Sequence, residues 1–113
     1  MTDCIFCKIA GGQIPATMVH EDDDVLAFED IRPLAPTHVI VIPRRHIPTL
    51  DDAAEADATV LGRMLLAAKQ VAAERGLSKG YRLVMNVQAG AGQVVFHVHL
   101  HLIGGRALTW PPG

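Results

Sequence analysis

Long apolar runs are missing from this chain: none approaches the ~18 to 20 residues that a membrane-spanning helix needs, so no membrane partner is expected. Blocks of lysine and arginine are missing too, and the formal net charge is −2. A protein that tracks a polynucleotide backbone carries clustered positive charge, so no nucleic-acid polymer is expected as a partner. The opening MTDCIFCKIA has neither the basic region nor the long apolar core of a secretory signal, which predicts a cytoplasmic protein. Repeats, linkers and low-complexity segments are absent. Cysteine is scarce: only Cys4 and Cys7 occur, three positions apart. In a reducing compartment such a pair suits metal or redox chemistry better than a structural disulfide. What remains is ordinary for one globular unit: 113 residues, half of them apolar and 19% charged, enough for a modest core in a single domain over residues 1–113.

Read along the chain, residues 4–10 form a short helical turn stopped by Gly11 and Gly12. Residues 18–21 and 25–30 read as two strands joined at the acidic turn of Asp22, Asp23 and Asp24. After Pro33 and Pro36 comes a β-branched strand at 38–42, HVIVI, ended by Pro43. Residues 49–52 offer a capping-box-like helix start. Leu61, Met64, Leu65, Ala68, Val71 and Ala72 follow at helical spacing, and Gly76 supplies a stop. Residues 81–87 read as a strand, and 89–93 (AGAGQ) as a tight turn. The prediction is an α+β domain: an antiparallel sheet of about five strands, one long helix, a short N-terminal helix and a tail over 106–113.

Residues 96–105, FHVHLHLIGG, are unlike the rest. His97, His99 and His101 alternate with Phe96, Val98, Leu100 and Leu102, the pattern of a half-buried strand. One face then carries three imidazoles about 6.6 Å apart while the other packs on a core. Few structural needs call for three aligned imidazoles. Two chemistries suit them: a metal site of H-x-H type, or an imidazole acting as nucleophile or proton carrier.

The alternation H-x-H-x-H resembles the signature of the histidine triad (HIT) family of nucleotide hydrolases and transferases. The likeness continues in CIFCKI, EDDDVLAFEDI, APTHVIVIPRRHI, KGYRLVMN, the GGR after the triad and the terminal WPPG. Together these blocks resemble the Hint branch, whose members bind purine nucleoside monophosphates and cleave phosphoramidate-type bonds. The resemblance implies a HIT-like fold whose sheet continues across a homodimer. It makes His99 the nucleophile and implies a nucleotidyl-imidazole intermediate. Neutral imidazole attacks phosphorus well because its pKa lies near 6.5, and it leaves readily from the product. One ring nitrogen must be bare, so the other is expected to donate to a backbone carbonyl. His101 is expected to face the phosphate and, when protonated, to stabilise its charge or shuttle a proton. By the same resemblance His38 is a fourth histidine of this site, and His97 is the first of the triad.

Gly90, Gly92 and Gln93 stand just before the triad, where glycines let backbone N–H groups approach an anion. A Gly-rich hairpin is equally a plain turn. The resemblance implies a phosphate cradle there, with Asn86 near the ribose and phosphate. Many Hint relatives carry a serine where this chain has Val94, which has no donor, so leaving-group preference should differ. Asp30 matches the carboxylate that accepts both ribose hydroxyls, and Phe6, Ile9, Phe28 and Ile31 match an apolar slot for the purine. Read without the resemblance, Asp30 is a turn residue and the four apolar residues are core. Trp110 lies in the tail that, in Hint relatives, crosses to the other subunit's site.

A Cys-x-x-Cys pair alone is a weak zinc signal, and a thioredoxin-like redox pair is its rival. Some triad proteins complete a Cys2His2 site, which here maps to Cys4, Cys7, His46 and His97. The resemblance therefore implies a closed, structural zinc that pins the N-terminus, and no organic cofactor. Three further functions stay open at this point: a dinucleoside polyphosphate hydrolase, a nucleotide-binding adaptor with incidental activity, and a zinc hydrolase in which all three triad histidines bind metal.

Overall fold

The strand at Thr37–Pro43 is buried along its whole length and sits at the centre of the sheet. The computed structural model describes residues 3–113. In chain order the elements are α1 (Ile5–Ala10), β1 (Met18–Glu21), β2 (Val25–Glu29), β3 (Thr37–Pro43), α2 (Ala58–Glu74), β4 (Tyr81–Val84) and β5 (Leu100–Gly104). All pairings are antiparallel, in the order β1-β2-β3-β5-β4. The expected class and strand number are therefore observed. No helix among the described residues is long and apolar enough to cross a membrane.

Period-two alternation divides the sheet residues between two faces. Val25, Ala27, Val39, Val41, Leu100 and Leu102 pack under α2, against Met64, Ala67, Ala68, Val71 and Ala72. Leu26, Phe28, Ile40 and Ile42 point the other way and pack with Phe6 and Ile9 of α1. Leu100 and Leu102 belong to the α2 face, so His99 and His101 are turned toward α1. Sequence alternation in β5 thus selects which helix the imidazoles meet.

Several boundaries differ from expectation, each for a local reason. The long helix begins at Ala58 rather than near Thr49, after two 3-10 turns at Leu50–Asp52 and Glu55–Asp57. Thr49 makes no capping bond; Asp57 instead accepts the Ala54 N–H at 2.9 Å and pairs with Arg45. Met64, Ala68, Val71 and Ala72 are buried as expected, whereas Leu65 is half-exposed and Ala67 joins the buried stripe. The helix stops where expected, with Gly76 at φ +70°, a conformation that glycine adopts without penalty. β4 ends at Val84 because its partner β5 begins only at Leu100, and Val84 pairs with His101. The triad segment is correspondingly shorter as a strand: residues 97–99 precede β5, and Val98 N–H donates to Ile47 carbonyl at 2.6 Å. Phe96, expected on the core face, is 43% exposed.

Candidate active site

The three triad imidazoles have distinct surroundings, and their hydrogen bonds assign the protons. A carbonyl cannot donate, so His97 Nε2 carries the hydrogen that binds Pro43 carbonyl at 2.8 Å. Its Nδ1 is then a bare lone pair. By the same argument His99 Nδ1–H donates to the main-chain carbonyl of His97 at 2.8 Å, leaving His99 Nε2 bare. The carbonyl anticipated beside His99 is thus supplied by its neighbour in the triad. His38 accepts the Leu34 N–H on Nδ1 at 3.1 Å, so its Nε2–H donates to His101 Nδ1 at 2.9 Å and leans toward Asp30 at 3.4 Å. His101, accepting on Nδ1, keeps its proton on Nε2.

Electrostatics holds this pattern at neutral pH. Burial pushes the pKa of His97 and of His99 below that of a free imidazole, against the opposing pull of their carbonyl partners. His101 is pushed down to about 4, first by burial and then by the neighbouring His99 and His38. At neutral pH this favours the neutral ring, in which His101 serves as an N–H donor. The ring centroids of His99 and His101 are 5.1 Å apart, and Phe6 meets His99 edge-on at 5.1 Å. Phe6 also stands edge-on to His97 at 6.0 Å.

α1 holds Phe6 and Ile9 over a cleft of about 530 Å³. Phe28, Asp30 and Ile31 line it as well, so five expected nucleoside contacts share one cavity. Ile31 is at its rim, 93% exposed. Asp30 Oδ1 accepts the Arg32 N–H at 2.7 Å, the turn role that its sequence context also suggested. Ile5, Ile14, Pro15, Ala16, Thr17, Glu29 and Ile40, which the sequence did not single out, complete the walls. Ile40 was legible by alternation with Val39 and Val41; the loop over 14–17 carried no signal.

Upstream of the triad, Ala89–Ala91 forms a 3-10 turn closed by Gly92 at φ +95°. The turn absorbs the N–H groups of Ala91, Gly92 and Gln93 in bonds to Gln88 and Ala89 carbonyls. Among the described residues Val94 N–H has no protein acceptor, and its side chain is 85% exposed. Gln93 is buried, and its carboxamide is committed within the protein. Asn86 is half-buried in the coil after β4. Trp110 is 81% exposed and does not line the cleft of its own chain.

Beneath α1 lies a second cluster. Cys4 Sγ is 3.4 Å from His97 Nδ1, Cys7 Sγ is 3.2 Å from His46 Nδ1 and 3.5 Å from His97 Nδ1, and the two Nδ1 atoms are 3.2 Å apart. Tetrahedral zinc with the usual Zn–N and Zn–S bonds places its ligand atoms roughly 3.3 to 3.8 Å apart, so the donor set fits that ion. The Pro43 carbonyl behind His97 supplies the outer-shell acceptor that metal-bound histidines normally have. Asp30, His38 and His101 form another close group, but the proton on His38 Nε2 already joins them.

The family model described as the HIT domain matches residues 11–108. An uncharacterised HIT-like protein from Synechocystis is 51% identical over 111 residues, covering 98% of this chain and 97% of that protein. The crystal structure of a HIT family hydrolase from Legionella pneumophila superposes with a TM-score of 0.96 at 56% identity, covering 98% of this chain and all of the other. A zinc-bound histidine triad protein from Mycobacterium smegmatis superposes with a TM-score of 0.82 at 33% identity, over 92% of this chain and 76% of the other.

Proposed function

This chain belongs to the HIT domain family, and from that premise we propose that it is a Hint-type hydrolase. Its substrates are purine nucleoside 5′-phosphoramidates or related mixed anhydrides, and its product is the nucleoside monophosphate. The observation that carries the reading is the bare Nε2 of His99, fixed by the 2.8 Å bond from Nδ1–H to His97 carbonyl. A neutral imidazole with its proton held on the far nitrogen is ready to attack phosphorus without first losing a proton.

The purine lies in the cleft between Phe6, Ile9, Phe28 and Ile31, and Asp30 accepts from the ribose hydroxyls with Asn86 nearby. His99 Nε2 bonds to the α-phosphorus as the P–N or P–O bond breaks. The leaving group, an amine from a P–N bond or an oxyanion from a P–O bond, takes the bond's electron pair, and the amine also takes a proton from solvent. Val94 N–H, beside Gly92 and Gln93, and the Nε2–H of His101 donate to the phosphoryl oxygens, where charge concentrates in the transition state. His38 keeps His101 in the donating tautomer. Water then attacks phosphorus, His99 Nε2 departs with its electron pair, and the proton lost by water returns to solvent.

His97 contributes its carbonyl to this chemistry and its ring to the second cluster. Cys4, Cys7, His46 and His97 would hold a structural zinc, which supplies a closed tetrahedral cross-link between α1 and the triad segment. The same reading treats residues 1–113 as a single domain acting as a cytoplasmic homodimer. Strand β4 is a sheet edge, and a cleft of about 640 Å³ beside it is lined by Tyr81, Arg82 and residues 105–108. A second copy fits this edge, extends the sheet and receives the tail over 106–113, which would set Trp110 near the partner's cleft.

The test is turnover of adenosine 5′-phosphoramidate beside diadenosine polyphosphates, with His99→Ala as control. Preference for the phosphoramidate is expected. Preference for the polyphosphates would transfer the chain to the other large triad branch, and turnover no faster than His99→Ala would make it an adaptor.

A further inference from the structure

Gln88 occupies φ 72° and ψ 161°, a backbone region that is essentially restricted to glycine. A glutamine held there is strained and persists only where its surroundings over-determine it. Those surroundings are visible. Gln88 N–H donates to Gln93 Oε1 at 2.9 Å, its carbonyl accepts from the N–H groups of Ala91 and Gln93, and its Nε2 donates to Asp51 at 3.0 Å. Gln93 answers from a buried position: its Nε2 donates to Pro48 carbonyl at 2.8 Å and to Val95 carbonyl at 3.1 Å. Both amide protons and the oxygen of Gln93 are therefore used.

The bond from Gln93 Nε2 to Val95 carbonyl spans one residue, Val94, whose N–H has no protein acceptor among the described residues. One side chain thus fixes the strained entrance of the turn at Gln88 and its exit at Val95, and ties both to Pro48 in the loop before α2. We propose that Gln93 is a positioning residue: it holds the 88–95 turn in the conformation that presents the Val94 N–H to the phosphoryl group, and makes no contact with the nucleotide through its own side chain. This rests on the reading of the cleft as a nucleotide site. Removal of Gln93 should cost affinity for the phosphate while sparing the nucleoside.

Adenosine and adenosine monophosphate are the probes, titrated calorimetrically into wild-type protein, Gln93→Ala and Gln93→Glu. Glutamate keeps the acceptor for Gln88 but cannot donate to Pro48 and Val95, so both variants should bind the monophosphate at least tenfold more weakly and adenosine within twofold of wild type. In turnover kcat should fall with them. Gln88→Gly in the Gln93→Ala background should recover part of the monophosphate affinity, because glycine holds the turn without strain. Parallel loss for both ligands, or no loss for either, overturns the role of Gln93 while leaving the nucleotide site standing. Wild-type protein that binds neither probe overturns the nucleotide site, and this role with it.

Discussion

The main-chain carbonyl of His97 accepts the Nδ1–H of His99 across 2.8 Å, while the ring of His97 faces two cysteines and a third histidine. Residue 97 therefore joins two sites through one peptide unit. Its ring is fixed on one side by Pro43 carbonyl and on the other by the Cys4, Cys7 and His46 donors. Whatever steadies that ring also steadies the tautomer of His99.

Replacing His99 with alanine should lower kcat by about three orders of magnitude or more, because it removes the nucleophile rather than a helper. Binding of adenosine monophosphate should stay within a few-fold of wild type. Rapid quenching with a good leaving group, followed by peptide mass mapping, should place the added nucleotide on His99 in the wild-type protein. Label on His101 or His38 would contradict the assignment.

The pH dependence follows from the lowered pKa values of His99 and His101. Each folded-state pKa is below the unfolded value near 6.5, so the folded protein binds fewer protons than the unfolded chain between those limits. Stability should be fully present above about pH 6.5 and decline as pH falls toward 4, seen as a falling thermal midpoint. The acid limb of kcat/KM should likewise lie below the 6.5 of free imidazole. A limb centred at 6.5 or above would show that burial does not hold these rings neutral.

Protein purified without added metal should carry about one zinc per chain, by elemental analysis. Cys4→Ser should weaken retention of the ion, and chelation should lower the thermal midpoint, since an ion held there would cross-link α1 to the triad segment. A complete loss of activity with no change in the midpoint would instead indicate a catalytic metal.

Light scattering at micromolar concentration should give twice the chain mass. Deleting residues 107–113 should shift the ratio of kcat/KM between substrates with different leaving groups, and change the thermal midpoint little, because Trp110 and its neighbours are exposed in the single chain. A monomer with an unaltered substrate ratio would remove the tail from the site.

The sequence carried the fold wherever side chains alternate on a regular element. Val39, Ile40, Val41 and Ile42 announce a strand covered on both faces, and α2 was visible through Met64, Ala68 and Val71. It was less informative where the backbone departs from regularity. The start of α2 was misplaced because Asp57, not Thr49, satisfies the turn before it, and that choice depends on Arg45, 12 residues away. Gln88 gave no signal, since nothing in the residue type betrays a left-handed backbone. The protonation state of His101 was open in the sequence, because its burial and its neighbours His99 and His38, which favour the neutral ring, are properties of the packed site.

The strand order has a bearing on how the enzyme comes into being. β5 lies between β3 and β4, so the sheet is joined into one piece by the strand that follows the other four in the chain. Until residue 104 is available, β4 has no partner and β3 presents a bare edge carrying Val39 and Val41, the kind of edge that recruits other chains. His97, His99 and His101 arrive with that same segment. A chain stopped short of it lacks the triad imidazoles and keeps an open sheet edge. Closure of the sheet and delivery of the three triad imidazoles therefore depend on one and the same segment.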